Sequence, residues 1–204
     1  MANKRNKEIW AKEEQRRKYS TATKKLYIYS IISLCVSAIL ILLFFVPWGG
    51  VYNSDAGGYE PPVITGFQTF AAGISGTYSN INVPGMYIFY HFCEAQTTTL
   101  GILTVIVFFL TIANIILQIV ILATKKYVLN ICSVAIGVIS FALLLVCFIV
   151  SLGIANPLMT GYQCNMKICS YRSFVIIPSV VALGGTVSAA IACVRILNAK
   201  KLLK

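Results

Sequence analysis

Acidic side chains are scarce in this chain: six Asp and Glu among 204 residues, beside seventeen Lys and Arg and one histidine. Hydrolytic and metal chemistry draw on paired carboxylates or on clustered His, Cys, Asp and Glu, so little of their raw material is present. Asp55 and Glu60 are too few for a calcium loop. The seven cysteines include no C-x-x-C pair, the usual arrangement of a dithiol poised for exchange. Asn-x-Ser/Thr is missing too, so no glycan acceptor is present. The scarcity of carboxylates and the lack of a C-x-x-C pair point away from an enzyme, and no catalytic, cofactor or metal site is expected.

What the chain has instead is four long apolar runs, 26–46, 98–123, 128–152 and 174–197. Each reaches the roughly 20 residues that an α-helix needs to cross a hydrocarbon core about 30 Å thick. With 58% hydrophobic and 11% charged residues, the composition is far from that of a soluble domain, which is about a quarter charged. The expected fold is an all-α membrane protein. A four-helix transmembrane bundle (26–204) follows a basic juxtamembrane segment (1–25), and the first outer loop forms a compact, small-β extracytoplasmic cap. No Asp, Glu or His lies within the runs, and Arg195 is near an end, where it can snorkel to the interface. Proton relays and ion-coupled carriers usually mark themselves with such groups.

The distribution of charge orients the chain. Nine basic residues precede the first run, Lys125 and Lys126 join the second to the third, and Arg195, Lys200, Lys201 and Lys204 close the sequence. The other two connections, 47–96 and 153–173, hold only Lys167 and Arg172. By the positive-inside rule both termini are expected in the cytoplasm of a multi-pass plasma-membrane protein. The first run is longer than a signal-peptide core of about 7–15 residues and lacks an A-x-A-like site, so a retained anchor is expected. Nucleic acid is not an expected partner, because the basic residues lack a platform with interleaved aromatics.

Segment 1–25 reads as a charged helix, with Glu8–Lys12, Glu13–Arg17 and Glu14–Lys18 spaced i,i+4. Arg16, Arg17, Lys18, Lys24 and Lys25 are its candidates for contact with anionic lipid; the plainer reading is a flank that only fixes topology. The joint around Lys125 and Lys126 is short enough to make spans two and three antiparallel neighbours. In the first outer loop, 63–70 and 86–90 look like strand material, while 86–95 could instead extend the second span as helix.

Three cysteines lie outside the runs: Cys93, Cys164 and Cys169. In an oxidising compartment a local Cys164–Cys169 disulfide is the preferred pairing, with Cys93 the alternative partner that would tie the two loops together. A membrane thiol oxidoreductase using these three is the third functional reading. His91, Cys93 and Glu94 are of ligating types, but a strand would turn Glu94 away from the other two. Within the runs, Asn114 and Gln118 share one helix face, suited to interhelical hydrogen bonds or to a polar pore lining. Gly184, Ser188 and Ala192 form a small-residue stripe, and Ser33 and Ser37 another, of the kind that lets helices approach closely.

The layout resembles that of claudin and peripheral-myelin-type proteins: four spans, inner termini, a first outer loop of about fifty residues and a shorter second one. Trp48-Gly49-Gly50-Val51 is similar to part of that family's W-GLW segment, although the next cysteine after it is Cys93. The expected function is that of an integral membrane protein without a catalytic site, acting by assembly with another membrane protein or with itself. A small channel or carrier lined by the Asn114/Gln118 face is the alternative.

Overall fold

Four helices long and apolar enough to cross a membrane carry the architecture. The structure is a computed structural model that describes residues 2–53, 58–76, 90–91, 93–154 and 169–201. In chain order the elements are α1 (Ala2–Leu42), β1 (Pro47–Asn53), β2 (Gly58–Thr65), α2 (Gly66–Ser75), α3 (Glu94–Thr124), α4 (Asn130–Gly153), β3 (Cys169–Ser173) and α5 (Ile176–Lys201).

The basic segment is not a separate body, because α1 continues through it into the first span without a break. Lys18 Nζ meets Glu14 Oε1 at 2.7 Å, the i,i+4 pair expected from the sequence. The helix ends at a 3-10 turn, Leu43–Phe45, and an extended Val46. There the indole N–H of Trp48 donates to the Leu43 carbonyl at 2.8 Å, satisfying an acceptor that a helix C-terminus leaves orphaned. α3 stops where Lys125 takes a left-handed conformation (φ 56°) and its N–H closes on the Ile121 carbonyl at 2.8 Å. Pro178 sits in the first turn of α5, where a missing donor is harmless.

The four spans form a ring in which α1 packs on α3 and α5, and α4 packs on α3 and α5. The residues turned inward recur by sevens, the signature of left-handed helix packing. On α3 they include Thr97, Thr104, Thr111 and Gln118; on α4, Ser133, Ser140 and Cys147; on α1, Ser30 and Ser37, with Phe44 of the 3-10 turn that follows. The outward residues are branched aliphatics and Phe, such as Ile106, Phe109, Ile139 and Val187. Small and polar side chains thus share the interior with large apolar ones such as Phe44, Leu100, Ile121 and Leu144, while the outward surface is apolar as well.

The end of the bundle opposite the lysine joint carries a three-stranded antiparallel sheet of order β2-β1-β3. β1 is central: Gly49 pairs with Ile64 on one side and Ser173 on the other. Phe174 N–H donates to the Trp48 carbonyl at 3.0 Å, so α5 starts directly from the sheet. The two connections are thus tied by backbone pairing.

The expected strand over 63–70 is corrected: β2 ends at Thr65 and helix begins at Gly66. A capping box causes the switch. Gln68 N–H donates to Thr65 Oγ1 at 3.1 Å, and Thr65 N–H donates to Gln68 Oε1 at 2.8 Å. Of the second expected strand, 86–90, residues 86–89 lie outside the described residues, and Tyr90 is helical.

Candidate functional site

The bundle interior holds one polar junction that joins three helices. Its amides come from Asn114 and Gln118, which the sequence singles out, and from Asn130 at the start of α4. Gln118 Nε2 donates to Ser133 Oγ at 2.6 Å, and Ser133 Oγ donates to Asn114 Oδ1 at 2.6 Å. Asn114 Nδ2 donates to Ser37 Oγ at 2.9 Å, and Ser37 Oγ donates to the Ser33 carbonyl at 3.0 Å. Every donor in this chain points the same way, from α3 and α4 toward α1, so the bonds polarise one another. Gln118 Nε2 also reaches Asn130 Oδ1 at 3.4 Å. Gln118, Asn130 and Ser133 are essentially buried, which places the junction away from the outward apolar surface.

Above the junction lies a cavity of about 20 Å³, lined by residues that include Ser37, Thr111, Asn114, Ser140 and Thr186. Thr111 and Thr186 donate their hydroxyls back to the Val107 and Ala182 carbonyls at 2.8 Å each. Val36, Leu40, Gly137, Ala182 and Gly185 complete a lining that is mainly apolar. The cavity's volume corresponds to about one water molecule.

The small-residue stripe on α5 is divided between the inside and the outside of the bundle. Ala192 is buried, in a cluster with Leu26 of α1. Gly184 has nothing within 4 Å of where a Cβ would stand, and Ser188 turns its hydroxyl back to the Gly184 carbonyl at 3.0 Å. A fourfold step advances about 40° around a helix each time, since 3.6 residues complete a turn. Gly184 is therefore carried well off the buried face by the time Ala192 reaches it. Close approach inside the bundle rests on other residues. A Cβ at Gly137 would overlap Thr186 Oγ1, and one at Gly185 would lie 3.0 Å from Val36 Cγ1. Ser33 and Ser37 are both buried, as the second stripe implies.

Cys93 is buried at the head of α3, its thiol directed at the Ile154 carbonyl 3.8 Å away. Cys164 lies outside the described residues, and of Cys169 the backbone alone is described, as the first residue of β3. Glu94 accepts from the Tyr90 hydroxyl at 3.0 Å, which raises the Tyr90 pKa. Among the described residues no three His, Cys, Asp or Glu side chains gather into a metal-sized group. Of the candidate lipid contacts, Arg16, Arg17, Lys18, Lys24 and Lys25 are all exposed along α1. Arg195 stacks over the Tyr29 ring at 5.2 Å, linking α5 to α1 near the lysine end.

Sequence reasoning missed Trp48 as a structural anchor, the Thr65/Gln68 box and Asn130. The first two had local signals, a Trp just past an apolar run and a T-x-x-Q spacing. Asn130 adjoins the lysine joint and reads as interfacial until α4 is known to start on it. No family model, no curated protein and no solved structure matches the chain.

Proposed function

We propose that this chain is a non-enzymatic, multi-pass protein of the plasma membrane that acts by assembly, with another membrane protein or with a second copy of itself. Its polar groups serve its own fold: Asn114 and Gln118 fasten helices together. The observation that carries the reading is on α5, where among the described residues nothing packs within 4 Å of the place a Cβ on the exposed Gly184 would take. The claudin and peripheral-myelin resemblance is supported by the pairing of β1 with β3, which draws both connections into one cap on the end away from the lysines. That cap is the extracytoplasmic face in this reading, with both termini cytoplasmic and the basic residues of α1 beside anionic lipid.

Native mass measurement in mild detergent, with crosslinking in membranes, tests the proposal. A complex larger than one chain that shrinks in a Gly184→Leu/Ser188→Leu variant supports it. A strict monomer with no crosslinked partner overturns it.

A second reading, a small channel or carrier, is favoured by the cavity between the spans, where the Ser37, Thr111, Ser140 and Thr186 hydroxyls and Asn114 interrupt a mainly apolar lining. Its weakness is that Asn114 is bonded through both its amide atoms and Gln118 through its Nε2, although Gln118 Oε1 is left without a partner among the described residues. Flux into liposomes separates the two: an assembly protein passes nothing, whereas a channel passes solute and loses that flux in Asn114→Leu.

A further inference from the structure

α2 carries no charged residue along its sequence GFQTFAAGIS. Its buried side, Gly66, Thr69 and Ala72, is turned toward the protein. There is no room for a Cβ at Gly66 beneath the Trp48 indole, nor at Gly73 against the Gly101 carbonyl. The opposite side exposes Phe67 and Ile74, 42% and 58% accessible. A helix facing water on that side would place charged or polar residues there.

Depth along the bundle follows from two independent rulers. Twenty residues separate Lys25 on α1 from Phe45 in the 3-10 turn that ends it, about 30 Å along the axis. Sixteen separate Lys125 from Phe109 on α3, about 24 Å. Both phenylalanines therefore fall within or at the edge of a hydrocarbon layer about 30 Å thick that begins near the lysines. Both are open to the outside, 59% and 55% accessible. Phe67 stacks on Phe45, with centroids 5.2 Å apart and planes 18° apart. Phe70 lies 4.2 Å from Phe108 and 6.3 Å from Phe109. The backbone of α2 rides higher: Gly73 seats on Gly101, about 36 Å from Lys125 by the same rise.

We infer that α2 is an interfacial anchor, lying at the headgroup boundary with Phe67 and Ile74 against phospholipid acyl chains. Phe45, Phe67, Phe70 and Phe109 make one chain of ring contacts continuous with the apolar surface of two spanning helices, so the surrounding lipid is the occupant that the geometry fits. Aromatic side chains favour this boundary, and an uncharged apolar helix face gains by sinking there. The β-sheet is then the part of the cap that stands in water.

The test uses the full chain in phosphatidylcholine nanodiscs, with a fraction of the lipid bearing a diazirine on its acyl chain and a parallel sample treated with a water-soluble diazirine. Chymotryptic peptides are mapped by mass spectrometry. Lipid adducts on residues 67–75, at yields comparable to those around Phe109, are expected, with little aqueous labelling. Aqueous labelling without lipid adducts overturns the inference, as do crosslinks joining α2 to a second copy. A Phe67→Trp variant gives a second readout. Its added emission should be quenched severalfold more by phospholipid brominated in the upper acyl chain than by unbrominated lipid; equal emission in the two overturns the inference.

Discussion

Replacing Asn114 with Leu tests the polar junction most directly. Two bonds disappear, Asn114 Nδ2 to Ser37 and Ser133 to Asn114 Oδ1. Ser37 keeps its acceptor on the Ser33 carbonyl, so the group chiefly orphaned is the Ser133 hydroxyl. In a soluble core a buried donor left unmade costs about 1–3 kcal/mol. Between membrane helices the measured average is nearer 0.6 kcal/mol per bond, with a maximum of about 1.7, because separated helices also find partners. Two bonds at that scale give a loss of about 1–3 kcal/mol. Overpacking is eased because Asn114 borders the cavity of about 20 Å³. A double-mutant cycle with Ser133→Ala isolates the shared bond and should show coupling of about 0.6–1.7 kcal/mol. The assay is reversible unfolding in mixed micelles by titration with a denaturing detergent, followed by circular dichroism. Paired instead with Ser179→Ala on α5, whose hydroxyl bonds its own helix at Val175, Asn114→Leu should be additive. Additivity with Ser133→Ala as well, within about 0.3–0.5 kcal/mol, would refute the junction.

The α4–α5 crossing should be sensitive to a single methyl group. Gly137→Ala drives a Cβ into Thr186 Oγ1 and should destabilise the bundle by about 1–3 kcal/mol, with partial recovery when Thr186→Ala is added, read by the same titration. Thr65→Ala removes the cap of α2 and should cost about 0.5–2 kcal/mol locally, seen as faster amide exchange at Gln68 and Thr69 with the spans unaffected. On α1, the Lys18 ammonium hydrogen-bonds Glu14 and holds its carboxyl below the ordinary carboxylate range. A lowered folded value means the pair supports the helix above the ordinary carboxylate pKa and loses that support as pH falls through the lowered one. Titration of Glu14 by NMR should show its midpoint rising in Lys18→Ala; an unchanged midpoint would remove the pair from consideration.

The spans were legible because the bilayer imposes a crude and strict rule, about twenty apolar residues without charge. Asn114 and Gln118 stood out as the amides deep within such runs. The sheet was hidden for the opposite reason. β1 opens Pro47-Trp48-Gly49-Gly50, which locally reads as a turn, and it becomes a strand only by pairing with β3, more than a hundred residues later. α2 was obscured by its neighbour: Val63, Ile64 and the phenylalanines suggest a continuous strand, and the reciprocal Thr65–Gln68 bonds override that tendency. The buried faces were written in steps of seven, whereas Gly184, Ser188 and Ala192 step by four and leave the face.

The different kinds of polar residue in the interior have different consequences for assembly. Lipid tails are as apolar as Leu, so hydrophobic burial does not draw one spanning helix to another. Thr104, Thr111, Ser179 and Thr186 each donate to a carbonyl of their own helix. They are satisfied whether or not the bundle has formed, and contribute mainly by being small. Amides have no such local solution and must find partners across helices. Asn114, Gln118 and Asn130 therefore fix the mutual register of α1, α3 and α4. α5 lies outside that chain of amides and docks through close contacts at Gly137/Thr186 and Gly185/Val36. Its position is set by shape rather than by hydrogen-bond register. It is also the span that bears the open Gly184. A partner packing there would press on a span that lies outside the amide network, so binding at α5 and its seating against α1 and α4 should be coupled.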